Sequence, residues 1–329
     1  MKKAYLAFTF AVLMAFALPA YADQPAEEIL KAIVKIRSLI PKEAFTARTL
    51  GMEREGSGVL IDAKGHILTI GYLIAEAESI EVTGPDGKPV GATFVGYDYS
   101  TGFGLLRTHK PLNVSPIKIG QSSEVKEGDP IIVAGHGGED SVQVGRVISR
   151  KEFAGYWEYL INDAIFTSPP YANFGGAALI DRNGRLVGIG SLFTQIMIQG
   201  FGSIPSNMFV PIDLLHPILS DLITRGRSRE APRPWLGLNS EEAHGRVFVI
   251  RVTPGVPAER AGLQPGDLIL TVKGEAVKGL GDFYRKVWAL GNAGVEVPLG
   301  ILRGTEIRSI TVRSADRYQF LMLAPKKIL

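Results

Sequence analysis

Pro254-Gly255-Val256-Pro257-Ala258-Glu259-Arg260-Ala261-Gly262-Leu263-Gln264-Pro265-Gly266-Asp267-Leu268-Ile269 decides how the C-terminal part of this 329-residue chain folds. Gly262 and Gly266 permit turns that other residues resist, and the small Ala258 and Ala261 let a helical turn over 257–261 sit close on a sheet. Strands are predicted on either side, over 247–252 and 268–272. A helix is predicted over 282–290 with Asp282 as N-cap, and Phe283, Val287 and Leu290 form its core-facing stripe. Strands over 295–302 and 307–312 turn around Arg303-Gly304-Thr305, and Trp235-Leu236-Gly237-Leu238 opens the unit, which spans 235–315 with a tail over 316–329.

Upstream, Arg225-Gly226-Arg227-Ser228-Arg229-Glu230-Ala231-Pro232-Arg233-Pro234 is charged, contains Pro and lacks apolar periodicity, so 224–234 reads as a linker. The unit before it, 51–223, consists of short apolar runs divided by turns, and a helical stretch falls within 213–223. Gly58-Val59-Leu60-Ile61, Ile67-Leu68-Thr69-Ile70 and Ile131-Ile132-Val133-Ala134 are such runs; Asp62-Ala63-Lys64-Gly65, Pro85-Asp86-Gly87 and Arg182-Asn183-Gly184 are such turns. Many short strands at this spacing predict an all-β barrel or sandwich. An N-terminal segment, 23–50, carries a short helix running into a strand over 25–40.

Met1-Lys2-Lys3, an apolar run from Leu6 to Leu18 broken only by Thr9, and Ala20-Tyr21-Ala22 have the layout of a secretory signal peptide over 1–22. The apolar run is too short to cross roughly 30 Å of hydrocarbon as a helix. Export to a bacterial periplasm is the expectation.

The hydrophobic fraction of 46% is that of a folded protein, not a disordered one. The absence of Cys excludes disulfides, thiolate metal sites, a Cys nucleophile and a lipoprotein anchor. With 36 Lys and Arg against 33 Asp and Glu and no dense basic stripe, nucleic acid is not an expected partner. No H-E-x-x-H or tight His/carboxylate cluster suggests a metal, and no cofactor is expected.

The run from Pro254 resembles a PDZ domain of the kind found in bacterial proteases. PDZ domains bind an extended peptide end by adding it as a strand to a sheet edge. The resemblance matches Trp235, Leu236, Gly237 and Leu238 to the loop whose successive backbone N–H groups face a terminal carboxylate. Ligand contact is expected at the backbone of Leu236 and Gly237, while the side chains of Trp235 and Leu238 read equally as core or groove.

Residues from about 40 to 315 resemble the HtrA/Deg family of periplasmic serine proteases. Gly56-Ser57-Gly58-Val59-Leu60-Ile61-Asp62, Gly96-Tyr97-Asp98 and Gly175-Gly176-Ala177-Ala178-Leu179-Ile180-Asp181 carry it. The resemblance implies a mainly β fold: a trypsin-like double β-barrel followed by a PDZ domain of α+β type. It also implies a Ser-His-Asp triad. The family places its histidine in T-N-x-H-V-V, its aspartate in T-D-L-A-V-L and its serine in G-N-S-G-G-P-L. Here the runs are Thr69-Ile70-Gly71-Tyr72-Leu73-Ile74, Thr101-Gly102-Phe103-Gly104-Leu105-Leu106 and Ala172-Asn173-Phe174-Gly175-Gly176-Ala177-Ala178. Tyr72, Gly102 and Phe174 thus stand at the base, orienter and nucleophile positions, and no catalytic residue is assigned. Gly102 has no side chain, Phe174 no nucleophilic atom, and a phenol of pKa near 10 is a poor base. Ala172 replaces a glycine of the oxyanion loop, and Tyr72 and Phe174 are expected to fill the cleft and stack.

Among the histidines, His66 reads as a surface residue at a turn, His109 as part of a polar loop, and His216 and His244 as lying near the linker and in a turn. His136 lies in a loop that borders the family's substrate cleft. Ser168, before Pro169, lacks a following N–H for an oxyanion hole. Glu241-Glu242 reads as a solvated turn. The function expected is that of an exported pseudoprotease binding peptides or protein C-termini, as an adaptor, chaperone-like holder or regulator in envelope quality control. An active HtrA-type protease or a second copy of the chain is a further partner. The alternatives are a serine endopeptidase with a non-standard site and a structural envelope protein.

Overall fold

The computed structural model describes residues 25–323; the signal peptide expected over 1–22 and the last residues, 324–329, lie outside them. The chain is mainly β. Short α1 (Ala26–Lys31) leads into a closed six-stranded barrel made of β1 (Ile33–Leu39), β2 (Glu53–Leu60), β3 (His66–Ile70), β4 (Ser79–Thr83), β5 (Pro89–Tyr97) and β6 (Phe103–Thr108), with α2 (Ala47–Leu50) between β1 and β2. A second closed barrel follows: β7 (Pro130–Ala134), β8 (Val142–Gly155), β9 (Tyr159–Ser168), β10 (Ala178–Ile180), β11 (Leu186–Ile198) and β12 (Gly202–Pro211). The pairings between these strands are antiparallel, as hairpin-connected short strands require. Val59, Ile67, Leu68, Phe103, Leu105 and Leu106 of the first barrel belong to one buried cluster that also takes in Ala178, Leu186 and Val210 of the second, and Val133, Ile165, Leu179, Val187 and Phe209 form another within the second. Closure leaves neither barrel with an open edge.

Helix α3 (Leu219–Arg225) ends the double barrel at Gly226, and Arg229 folds back to pair with Asp221 on it. Residues 226–234 then carry the chain to the third unit. Its sheet runs β13 (Leu238–Ala243), β14 (Arg246–Val252), β15 (Leu268–Val272), β17 (Glu296–Arg303), β18 (Glu306–Arg313), with β16 (Glu275–Ala276) paired to β15. Helices α4 (Pro257–Arg260) and α5 (Leu280–Trp288) complete it. Strand β13 is an edge: β14 is its one partner in the sheet. Phe283 and Val287 are fully buried in this unit's core, and Leu290 packs beside them just past the helix end.

Three local expectations are corrected. Asp282 is the third residue of α5, not its N-cap; the cap position is Gly279, and the Asp282 carboxylate instead accepts from the Lys278 N–H and pairs with Lys286. Glu241-Glu242 lies within β13 rather than in a turn, and Glu242 accepts from the Leu280 N–H at 2.6 Å. His66 is not a surface residue. It opens β3 and is buried, with Nδ1 2.6 Å from Asp62, whose carboxylate folds back over the turn.

Residues 314–322 are tied to the first barrel. Ala315 bridges Trp235, the Tyr318 hydroxyl donates to the Tyr97 carbonyl at 2.9 Å, and the Met322 N–H donates to Glu76 at 3.0 Å.

Candidate functional site

Two places gather functional geometry: the junction of the two barrels, and the loop that opens the third unit. At the junction, a single 3-10 turn over Gly71–Leu73 ends β3 and presents Tyr72. The Arg54 guanidinium holds this turn by donating to the Tyr72 and Ala75 carbonyls at 2.7 and 3.2 Å. Gly71 donates its N–H to the Gly102 carbonyl at 2.7 Å, which brings positions 72 and 102 together. The Tyr72 hydroxyl lies over Gly175, 3.0 Å from where a Cβ there would stand, which brings the 174–176 loop to the same place.

Tyr72 does not stack on Phe174. Its hydroxyl crosses between the barrels and donates to the Ser191 carbonyl at 3.0 Å. Burial pushes its phenol well above the ordinary value, so it stays protonated as a donor. Phe174 is half-buried, and its carbonyl accepts from Ala177 at 3.0 Å. Gly102 has φ +85, a left-handed conformation that side chains other than Gly resist. A Cβ there would stand 3.1 Å from the Tyr159 hydroxyl and 3.3 Å from Ile70.

A hydroxyl–imidazole pair lies nearby. Ser57 Oγ accepts the backbone N–H of His136 at 3.0 Å and lies 3.1 Å from its Nδ1. Since Oγ accepts from the backbone, its own proton is free to go to Nδ1, which makes Nε2–H the matching tautomer. Desolvation, with Lys35 adding repulsion, lowers the His136 pKa and favours that neutral form. Ser57 is fully buried and its N–H is bound to Gly175 at 2.9 Å, so the hydroxyl faces the loop and not solvent. Ser168 is remote from this pair and donates to the Pro205 carbonyl at 3.3 Å. His109, just past β6, bonds through Nε2 to the Thr93 hydroxyl on β5 at 2.7 Å. No group of three or more His, Asp or Glu side chains gathers to hold a metal ion among the described residues.

In the third unit, the backbone N–H groups of Leu236, Gly237 and Leu238 converge on one carboxylate, at 2.9, 2.7 and 3.1 Å. Gly237 makes this possible with φ +84; a Cβ there would come 2.3 Å from Val256. The side chains of Leu236 and Leu238 join the core of the unit. Trp235 turns away from the loop, packing against Phe45 and Phe320 with ring centroids 6.0 and 5.0 Å apart. It is therefore part of a seam between the first barrel, the third unit and the C-terminal segment.

The carboxylate belongs to Glu158, at the tip of the β8–β9 hairpin of the second barrel. No local signal in the sequence pointed to it, because 78 residues separate it from Leu236. Glu158 is buried and holds φ +61, a left-handed conformation that costs a residue other than Gly about 1–2 kcal/mol. Burial raises its pKa from 4.5 to about 7, against the opposing pull of the three N–H donors and Arg317.

Residues 56–189 match the trypsin-like peptidase domain family, and residues 234–313 match the PDZ domain family. The chain is 31% identical over 313 residues to "Protease Do-like 1, chloroplastic" of Arabidopsis thaliana, covering 87% of this chain and 70% of that one. It is 29% identical over 273 residues to "Periplasmic serine endoprotease DegP" of Salmonella typhimurium, covering 78% and 55%. It is 28% identical over 267 residues to "Periplasmic pH-dependent serine endoprotease DegQ" of Escherichia coli, covering 75% and 56%. The chain spans about half the length of most of the curated relatives it matches. Among solved structures, "HtrA-type protease AlgW with tripeptide" superposes with a TM-score of 0.52 at 23% identity, covering 89% of this chain and 97% of that one. The serine endoprotease from Yersinia pestis gives 0.52 at 24% identity, covering 89% and 98%. These two show the fold.

Proposed function

This chain belongs to the HtrA/DegP family of Do-like proteases, with a trypsin-like peptidase domain and a PDZ domain, and from that premise we propose that it binds peptides or protein C-termini without cutting them. The observation that carries the reading is the convergence of the Leu236, Gly237 and Leu238 N–H groups on a single carboxylate. Three adjacent donors aimed at one anion are what recognition of a terminal carboxylate needs. The absence of cutting rests on residue identity at Tyr72, Gly102 and Phe174. None offers a base at neutral pH, an orienting carboxylate or a nucleophile, and loss of one key triad group can cost about 10⁶ in rate.

Export to the periplasm and a role as adaptor, chaperone-like holder or regulator in envelope quality control go with this reading. Its relatives include periplasmic proteins. No helix among the described residues is long and apolar enough to cross a membrane.

A second reading, an endopeptidase with a non-standard nucleophile, is favoured by one observation: the Ser57 hydroxyl lies 3.1 Å from the His136 imidazole. Burial of Ser57 and the commitment of its Oγ to the His136 N–H weigh against it. The purified protein incubated with casein and a fluorophosphonate probe separates the two. The binding reading expects no cleavage and no labelling; labelling that Ser57→Ala abolishes would establish the endopeptidase. Carboxylate recognition is tested by comparing peptides with free and amidated C-termini, of which the first alone is expected to bind.

A further inference from the structure

We propose that the peptide groove of the PDZ domain is occupied by the chain's own β8–β9 hairpin, with the Glu158 carboxylate standing where the terminal carboxylate of a bound peptide would stand. An incoming C-terminus must displace the hairpin to bind. The proposal rests on the reading of the 236–238 loop as a peptide-carboxylate site.

Three features of strand-addition recognition are supplied by this one segment. The first is the anion, Glu158, on the Leu236, Gly237 and Leu238 N–H groups. The second is a main-chain bond to the open edge of the sheet. Ser240 on β13 donates its N–H to the Tyr156 carbonyl at 2.8 Å, the direction an added strand would use. The third is apolar burial: Ala154 and Leu160, opposite each other across the hairpin, pack into the same cluster as Leu236, Leu238 and Phe283.

Helix α5 packs against both β13 and the hairpin, closing the other side of the groove. From it the Tyr284 hydroxyl donates to the Gly155 carbonyl at 2.8 Å and accepts the Glu158 N–H at 3.2 Å. Arg317 donates to the Trp157 carbonyl at 3.3 Å, and Arg285 pairs with Glu152. The hairpin is thus bound to both walls of the groove by its backbone as well as by its acid.

Because the hairpin is tethered, it competes at an effective concentration that dilution cannot reduce. A peptide's measured affinity is its intrinsic affinity scaled by the fraction of molecules whose groove is open. The occupant also defines the ligand: a free carboxylate next to an apolar side chain, as Glu158 and Leu160 supply together.

The test uses the full chain and a mixture of fluorescein-labelled hexapeptides ending in Val, Leu or Phe with free carboxylates, with the amidated mixture as control. Glu158→Ala is expected to tighten binding at least tenfold over wild type. Tyr284→Phe, which removes the hydroxyl bonded to the Gly155 carbonyl and the Glu158 N–H, serves if the alanine variant fails to fold and is expected to tighten binding in the same direction. Equal binding by wild type and variants would overturn the proposal while leaving the PDZ domain as a carboxylate binder. Binding by none of them would overturn that reading and this proposal together. Amide exchange on the wild-type protein gives a check that needs no variant. Saturating peptide is expected to speed exchange of the Glu158 N–H, which the Tyr284 hydroxyl now holds. Peptide binding with unchanged exchange there would overturn the proposal.

Discussion

The Tyr72 hydroxyl of the first barrel donates to the Ser191 carbonyl of the second at 3.0 Å, across the junction of the two barrels. The position matched to the family's base thus ties the two barrels together. A hydrogen bond of this kind contributes about 1 kcal/mol to stability, so Tyr72→Phe should lower unfolding free energy by that amount with no change in peptide binding. Denaturant unfolding followed beside a binding titration checks both.

Restoring three side chains should not restore a protease. In Tyr72→His, Gly102→Asp, Phe174→Ser, the new aspartate would have to hold φ +85 with its Cβ 3.1 Å from the Tyr159 hydroxyl. That hydroxyl is fixed by its bond to the Thr101 carbonyl at 2.6 Å. The expected outcome is no casein hydrolysis and a protein less stable by about 2 kcal/mol or more. Turnover in a casein assay would show that the backbone at 102 relaxes.

Ser57 and His136 act as a latch between barrels. Ser57→Ala leaves the His136 N–H without its partner and removes the bond to Nδ1. A loss of about 1–2 kcal/mol in unfolding free energy is expected. The neutral imidazole also sets a pH direction. The folded His136 pKa lies below its ordinary 6.5, so the latch's contribution is complete above that value and is lost as pH falls below it. Denaturant midpoints at pH 7.5 and 5.5, compared between wild type and Ser57→Ala, read this out.

Glu158 responds to pH in the opposite sense. Its folded pKa, about 7, lies above the ordinary 4.5, so the docked hairpin holds the proton more tightly than the released one. Docking is strongest below about 4.5 and weakens as pH rises through 7, by roughly 3 kcal/mol across the window. Arg317 and Tyr284 are the other charged and titratable groups facing the carboxylate. Peptide affinity of the wild-type chain should therefore rise from pH 5 to pH 8, and Glu158→Gln should flatten the rise. Anisotropy titrations at the two pH values test it.

Asp267, the last acidic residue of the run that identifies the PDZ domain, is buried and held by Arg303 through two bonds of 2.7 Å. Asp267→Ala would strand that guanidinium and free the Gln264 N–H. Removing one partner of a buried pair costs about 3–5 kcal/mol, and the 22% exposure of Arg303 places the expected loss at the lower end. Urea unfolding followed by tryptophan fluorescence, to which Trp235 and Trp288 of this domain contribute, measures it.

Local chemistry made much of this molecule legible from its residues. The turns at Gly262 and Gly266, the short helix at Pro257 and the strands on either side depend on backbone freedom, side-chain size and alternation, which act over a few residues. At single side chains, a partner four residues along the chain or in the other barrel overrode the expected role. Asp282 is drawn to Lys278 and Lys286 instead of capping a helix, and Asp62 draws His66 inward. Tyr72 takes a carbonyl of the other barrel in place of the ring of Phe174.

By itself, the order of residues determined the strand-rich architecture, the family resemblance and the identities at positions 72, 102 and 174, because those follow from composition and short-range pattern. Only the tertiary structure decided that the carboxylate on the Leu236, Gly237 and Leu238 N–H groups is that of Glu158. A carboxylate far along the chain meets three N–H groups only when two separately folded units pack together, and that packing depends on summed burial and long-range hydrogen bonds that no local stretch encodes.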